Sequence, residues 1–231
     1  MPTRRRANGN TESVDNYLKA ILSLSETGAR RVSSTALAGA LGVAPASVTN
    51  MLQKLAAAAE PLVEYERHRG VLLSEAGRRR ALEVLRHHRL IETFLYVVLD
   101  YPIDEVHEEA ERLEHFISER FEERIAAKLG HPTIDPHGHV IPALDGAMAP
   151  HESIPLSDIV TGGTFVIDSV SDRNASSLRT MGACGITPGA SLTVKRTASP
   201  ETYSVSVGRS SKEFDLPPEL AADVRLIPHR K

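Results

Sequence analysis

From Thr11 to Glu26 the apolar side chains fall at Val14, Tyr17, Leu18, Ile21 and Leu22. That i, i+3, i+4 spacing predicts one buried helical face, and Gly28 closes the run. Ser34 is placed to cap a second helix through Leu37, Ala38 and Leu41, which Gly42 stops. Pro45 opens a third helix, Ala46 to Ala59, and Pro61 breaks it. Leu62–Tyr65 and Val71–Leu73 then read as two short strands around a charged tip, Glu66-Arg67-His68-Arg69-Gly70. Ser74 caps a long helix to about Leu99. Pro102 separates it from another, Ile103 to Leu129, which ends at Gly130. Prolines 132, 136, 142, 150 and 155 mark the following stretch as irregular chain or linker. Beyond it TFVIDSV, SLTVKRT and TYSVSVG alternate and are rich in β-branched residues, a signature of strands.

Helix, tight turn, helix and a two-stranded wing make the winged helix-turn-helix plan. The expected fold class is therefore mainly α with a small β domain. The expected organisation is a disordered tail over 1–10, a winged helix-turn-helix over 11–75 and a helical domain over 76–146. A linker over 147–156 and a β-rich domain over 157–231 complete it.

Composition narrows this picture. Aromatics make up only 4% of the 231 residues and Trp is absent, so the core rests on Leu, Val, Ile and Ala. No apolar run approaches the ~18 residues of a membrane span. The opening MPTRRRANGN has charge but no apolar stretch behind it, so no secretory signal is expected there. A lone cysteine, Cys184, cannot form an internal disulfide, which fits a reducing cytoplasm. The net charge of −3 conceals an asymmetry. Residues 1–80 carry 12 Lys/Arg against 7 Asp/Glu, whereas residues 81–130 carry 6 against 12. A basic first third beside an acidic middle points to a polyanion-facing part and a cation-binding part, although two solvated helix faces would give the same count.

The third helix has the chemistry of a DNA reader. At about 100° per residue, Val48, Leu52 and Leu55 share a narrow arc, while Ser47, Asn50, Gln53 and Lys54 lie opposite and Thr49 sits at the edge. Pro45 stands at the entry of this helix. Short hydrogen-bonding side chains suit base edges in a major groove, and Lys54 suits a phosphate or base. Arg67, His68 and Arg69 at the wing tip are placed to meet the adjacent backbone, so binding should weaken steeply with salt. A polar face alone would equally describe a solvated helix; the wing and the basic balance favour DNA.

Seven of the ten histidines fall between residues 87 and 139. On the predicted 103–129 helix, His107, Glu111, Glu114 and His115 occupy an arc of about 100° bordering the stripe Val106, Ala110, Leu113 and Ile117. On the preceding helix His88 and Glu92 stand one turn apart, a spacing that lets both reach one ion. Carboxylates this close repel unless a cation neutralises them. Imidazole and carboxylate without thiolate suit Mn²⁺, Fe²⁺, Co²⁺ or Zn²⁺. The competing reading is a solvated acidic face.

These residues resemble the diphtheria-toxin-repressor family of metal-dependent regulators, including its manganese transport regulators. The resemblance runs through VDNYLKAI (14–21), LGVAPASVTNMLQKL (41–55), LLSEAGRRRA (72–81) and HRLIETFL (88–95). It continues through EVHEEAERLEHFISERFEERI (105–125) and HPTIDPHGHVIP (131–142). It implies that the helical domain dimerises and binds metal, and that the β-rich tail is an SH3-like barrel. It also implies two metal sites. One would use Glu111, Glu114, His115 and Asn16; the other would use His88, Glu92 and His107 with a barrel ligand best matched by Asp172. Asp135 and His137 occupy places that some manganese-responsive members use instead. Glu111 stands where iron-responsive members resemble a thiol, which favours manganese. Asn16 matches neither type, Lys19 stands where a manganese-responsive member carries a second acid, and Asp15, about 100° around the helix, is an unlikely substitute for Asn16.

The function expected is a cytoplasmic, homodimeric, Mn²⁺-dependent repressor that binds palindromic operator DNA and controls metal-uptake genes. Fe²⁺ is the alternative cofactor, with Zn²⁺, Co²⁺ or Cd²⁺ able to substitute in vitro. Phe94, Val97, Val98, Phe116 and Phe121 are candidates for the dimer seam or for plain core. A winged-helix regulator of a non-metal ligand and a metallohydrolase are the rival readings.

Overall fold

The computed structural model describes residues 10–25, 30–149, 152–195, 202–208 and 213–229. Helix α1 (Asn10–Leu24), α2 (Ser34–Leu41) and α3 (Pro45–Ala56) precede a hairpin of β1 (Val63–Glu66) and β2 (Gly70–Leu73). Helix α4 (Glu75–Leu99) is followed by α5 (Val106–Leu113) and α6 (Glu119–Lys128). The remainder is built from β3 (Ile154–Pro155), β4 (Gly163–Val170), α7 (Ala175–Ala183), β5 (Ser191–Val194), β6 (Tyr203–Val207), β7 (Phe214–Leu216), α8 (Pro218–Ala222) and β8 (Val224–Pro228). These elements fall into two compact units. The first takes residues up to 87 with 114–117 and 142–147; the second takes 88–113, 118–141 and the rest.

In the first unit Leu18, Ile21, Leu37, Val48, Leu52 and Val71 are fully enclosed, together with Leu55, Val63 and Leu82. The apolar arc read on the third helix is thus its buried face. A cap is displaced by one residue from expectation: Ser33, not Ser34, accepts the Ala36 N–H. The third helix ends at Ala56 rather than Ala59. Glu26 and Gly28, read as the end of the first helix, lie outside the described residues, as does the expected tail up to Gly9. Ser74 does cap α4, accepting from Gly77 N at 3.0 Å. The wing gains a third partner, because Val32 bridges Val71. Gly70 (φ +92°) makes this possible, since a Cβ there would meet the Val32 carbonyl oxygen at 2.4 Å.

In the second unit the antiparallel sheet has the order β3-β8-β4-β5-β6-β7. Its core is Leu156, Ile167, Met181, Leu192, Val205 and Leu226 with their neighbours. Strand β3 pairs with β8, so the sheet begins inside the segment expected as linker. A second cluster joins Leu90 of α4 to Ile125 and Ala126 of α6 and to Ile141. Phe94 packs against this cluster as core. Val97 and Phe121 are 59% and 50% exposed on this unit, Val98 is exposed too, and Phe116 on the first unit is 66% exposed.

One expectation fails outright. The single helix predicted over 103–129 is two helices, broken at 114–118. Ser118 starts the second, its hydroxyl accepting from Phe121 N with Glu119 and Glu122 in the first turn. The stretch 131–155 is also less loose than its prolines imply. Ile134 bridges Val140, and Asp135, His137, Val140 and Ile141 are buried.

Candidate metal centres and DNA-reading face

The helix break separates the four ligands expected on one arc. Glu114 and His115 belong to the first unit, whereas His107 and Glu111 belong to the second. In the first unit both Glu114 oxygens accept from Lys19 Nζ, at 2.7 and 2.9 Å. His115 stands with Nε2 3.3 Å from Glu114 Oε1 and Nδ1 3.6 Å from Asp15 Oδ2. Arg80 Nε donates to the other Asp15 oxygen at 2.6 Å. Asp15 is thus turned toward His115, against the expectation from helical angle alone. Neither ring nitrogen of His115 has a hydrogen-bond partner, and neither does the buried amide oxygen of Asn16. Buried polar atoms left in this state are costly, about 1–3 kcal/mol each, and mark a place prepared for a ligand.

The second unit holds a larger cage. Helix α4 supplies His88 and Glu92, and α5 supplies His107. His88 Nε2, His107 Nδ1 and Glu92 Oε1 are mutually 3.0–3.2 Å apart. Donors about 2.1 Å from one octahedral ion lie about 3.0 Å from each other, so this trio already has the spacing of a coordination face. Asp172, in the turn between β4 and α7, brings Oδ2 to 3.5 Å from His107 Nδ1. Glu111 Oε1 lies 3.9 Å from both His88 Nδ1 and His107 Nε2, an association expected instead with Glu114 and His115.

The loop after α6 closes the cage. Asp135 Oδ1 accepts from the backbone N–H groups of His137 and His139, at 2.8 and 2.9 Å, and so curls the loop around itself. Val170 N donates to the His137 carbonyl, docking the loop on the end of β4. Gly138 (φ +92°) permits the approach; a Cβ there would meet the Asp168 carbonyl oxygen at 2.1 Å. His137 Nε2 donates to Ile103 O at 3.1 Å, which fixes the ring and turns Nδ1 toward Glu92 Oε2, 3.7 Å away. His139 Nδ1 lies 3.4 Å from Asp135 Oδ2 and 3.7 Å from Asp172 Oδ2. Sequence reasoning missed His139; ligating residue types recur at 135, 137 and 139, and a tight turn closed by Gly138 N on Asp135 O brings them together.

Charge is concentrated here at low exposure. Burial would raise the Glu92 carboxyl, but the charge of His88 and contacts to His107, His137 and His88 hold it well below the usual carboxylate range. Burial likewise opposes ionisation of Asp172, and His139, His107 and His137 hold its pKa down. Burial works against charge on His137, yet the facing Glu92, with Asp135 and Asp172, raises its pKa to about 9. Arg89 donates to the Val140 carbonyl and stands 3.6 Å from Asp135 Oδ2, its own pKa lowered by burial against those acids.

The residues expected to read DNA lie on α3 and at the wing tip. Pro45, Ser47, Asn50, Gln53 and Lys54 are exposed on α3, and Thr49 is half-buried, its hydroxyl donating to Pro45 O at 3.2 Å. Arg67, His68 and Arg69 are exposed at the wing tip. Arg69 and Arg31 both pair with Glu66, which holds the tip in place.

Comparison with known proteins places these features. Residues 10–71 match the profile of the iron dependent repressor N-terminal DNA binding domain. Residues 74–143 match the iron dependent repressor metal binding and dimerisation domain, and residues 154–228 match the FeoA domain. A solved manganese-dependent transcriptional repressor in complex with manganese shares 36% identity, with 93% of this chain and 99% of that one covered and a TM-score of 0.85. The chain belongs to the diphtheria toxin repressor family. Among its relatives, the iron-dependent repressor IdeR of Mycobacterium leprae is 27% identical over 93% of this chain and 96% of its own length. The regulator MntR of Listeria monocytogenes is 37% identical over 47% of this chain and 73% of its own. The ScaR structure with bound Zn²⁺ is 30% identical, covers 93% of this chain and 99% of its own, and has a TM-score of 0.78. The protein is thus a metal-dependent transcriptional repressor that binds operator DNA as a homodimer, with a C-terminal SH3-like domain. It is not an enzyme, and the hydrolase and non-metal readings fall away. Among the described residues no single helix is long and apolar enough to cross a membrane.

Proposed function

We propose that this repressor responds to manganese and shuts off metal-uptake genes in the cytoplasm by binding palindromic operators. The observation that carries the choice of metal is the donor chemistry. The side chains gathered into candidate ligand groups offer carboxylate and imidazole donors, and no cysteine joins any of these groups among the described residues. Such oxygen and nitrogen donors suit Mn²⁺ over softer-site metals, and Fe²⁺ is the nearest competitor. The relatives solved with zinc and with cadmium support the expectation that Zn²⁺, Cd²⁺ or Co²⁺ substitutes in vitro.

One set of ligands is Glu114 and His115 with Asn16 and Asp15 of α1; the other is the cage around Glu92. A bound dication supplies positive charge against carboxylates that otherwise oppose one another in a poorly solvated place. The chain's own residues do the rest. Glu114 and His115 reach α1 through Lys19 and Asp15. Helix α1 lies in the same core as α2 and α3 through Leu18 and Ile21. Holding α1 therefore holds α3, which carries Ser47, Asn50, Gln53 and Lys54. In a homodimer this fixes the spacing of two recognition helices, which must match half-sites near one DNA turn apart.

DNA binding to a promoter fragment of a metal-uptake gene, measured with Mn²⁺, anaerobic Fe²⁺, Zn²⁺ or chelator, tests this. Mn²⁺ should tighten binding by about 5- to 150-fold, the ordinary range of allosteric coupling. Glu114→Ala and His115→Ala should each remove that gain while leaving the far-UV spectrum intact. A gain with Fe²⁺ and none with Mn²⁺ would reassign the effector; no gain with any metal would reject the reading.

A further inference from the structure

Seven donor side chains meet in the second unit, more than one ion can use. They form two groups: His88, Glu92, His107 and Asp172, and Asp135, His137 and His139. Within each group the ligand atoms lie within 4.8 Å of one another. Mn²⁺ with oxygen and nitrogen ligands favours octahedral coordination, so seven side chains overfill one sphere.

The two groups touch through two carboxylates. Glu92 turns Oε1 to His88 and His107, at 3.0 and 3.2 Å, and Oε2 to His137, at 3.7 Å. Asp172 Oδ2 faces His107 on one side and His139 on the other, at 3.5 and 3.7 Å. Glu92 thus has its two oxygens on separate sets of nitrogen donors, the disposition needed to span a pair of ions, whereas Asp172 reaches both sets through the one oxygen Oδ2.

The lone pairs without partners lie on the second group's side. Glu92 Oε2, Asp135 Oδ2, His137 Nδ1 and His139 Nδ1 are all buried with no hydrogen-bond partner. Glu92 and His137 are completely enclosed, and Asp135 is 5% exposed. Each second-group side chain is also restrained from behind: Asp135 through its Oδ1, His137 through Ile103, and His139 through its backbone N–H.

We infer that the cage holds two divalent cations: one on His88 and His107, the other on Asp135, His137 and His139, with Glu92 and Asp172 shared. The inference rests on the metal-sensing reading above and gives His139 a role as a ligand. The test is crystallography of the full-length protein soaked in Mn²⁺, with anomalous maps at the manganese edge, alongside electron paramagnetic resonance in solution. Two anomalous peaks a few ångströms apart inside the cage and an exchange-coupled Mn(II) pair signal are expected. His139→Ala should lose one peak and the coupled signal while keeping the other peak. One peak in the wild-type cage would overturn the two-ion inference and leave the sensor reading standing. An empty cage with manganese at Glu114 and His115 would also overturn it, and no manganese anywhere in the protein would overturn the sensor reading as well. Two peaks retained in His139→Ala would remove His139 from the ligand set.

Discussion

Lys19 is the residue whose chemistry departs furthest from a plain metal site. Its ammonium sits on Glu114, bonded to both oxygens of a carboxylate that is 1% exposed. A tethered cation there holds in advance the charge that a dication would bring, so metal binding must compete with it. Lys19→Met keeps the stem's apolar contacts and removes the charge. Mn²⁺ affinity measured by calorimetry should then rise, while the metal-free protein loses stability because the buried Glu114 carboxylate loses the cation bonded to both its oxygens. Unchanged affinity would show that Lys19 does not compete. His137 gives a second residue-scale expectation. Its pKa is raised from an ordinary 6.5 to about 9. The stabilisation of the metal-free protein from this group is complete below pH 6.5 and is lost as pH rises through 9. Thermal unfolding in chelator should show that decline, and a His137→Gln variant should flatten it.

At the scale of elements, the loop between α6 and β3 decides whether the cage closes. Asp135 ties the loop to itself, and Gly138 lets it lie against β4. Gly138→Ala adds a Cβ at a positive φ and into the Asp168 carbonyl. Either must shift, so the variant should lower thermal stability by several degrees and weaken Mn²⁺ binding at the cage with little effect on the Glu114 site. Retained cage affinity would show that the docking of this loop does not shape the site. The break between α5 and α6 is the other decisive element. Its signals, Ser118 followed by Glu119 and Glu122, are visible in the sequence, but the apolar period runs across them and favours one continuous helix. Only the packing of Ile125 and Ala126 against Leu90 fixes where the second helix lies.

For the whole molecule, the exposed apolar side chains Val97 and Phe121 are the candidates for the homodimer seam. Val97 and Phe121 are too exposed to serve the core of their own unit, whereas Phe94 does serve it. Burying one such side chain is worth about 1.5–3 kcal/mol, and a charge in its place reverses the sign. Val97→Asp and Phe121→Asp should shift sedimentation toward monomer and reduce operator affinity even with saturating Mn²⁺. Phe94→Asp should instead destabilise the subunit. A variant at Val97 and Phe121 that stays dimeric would place the seam elsewhere.

The order of elements through the long helix α4, the buried arc of α3, the wing and the acidic, histidine-rich character of the middle segment were all written in local periodicity and turn chemistry, which depend on neighbours a few residues apart. The alternation of strands in the tail belongs with them. Partnership among distant residues was not. That Asp15 faces His115, that Glu111 stands by His88, and that His139 joins Asp172 depend on a helix break, a strand end and a glycine-tight loop meeting in three dimensions. Such meetings are set by packing and backbone clearance rather than by spacing along the chain.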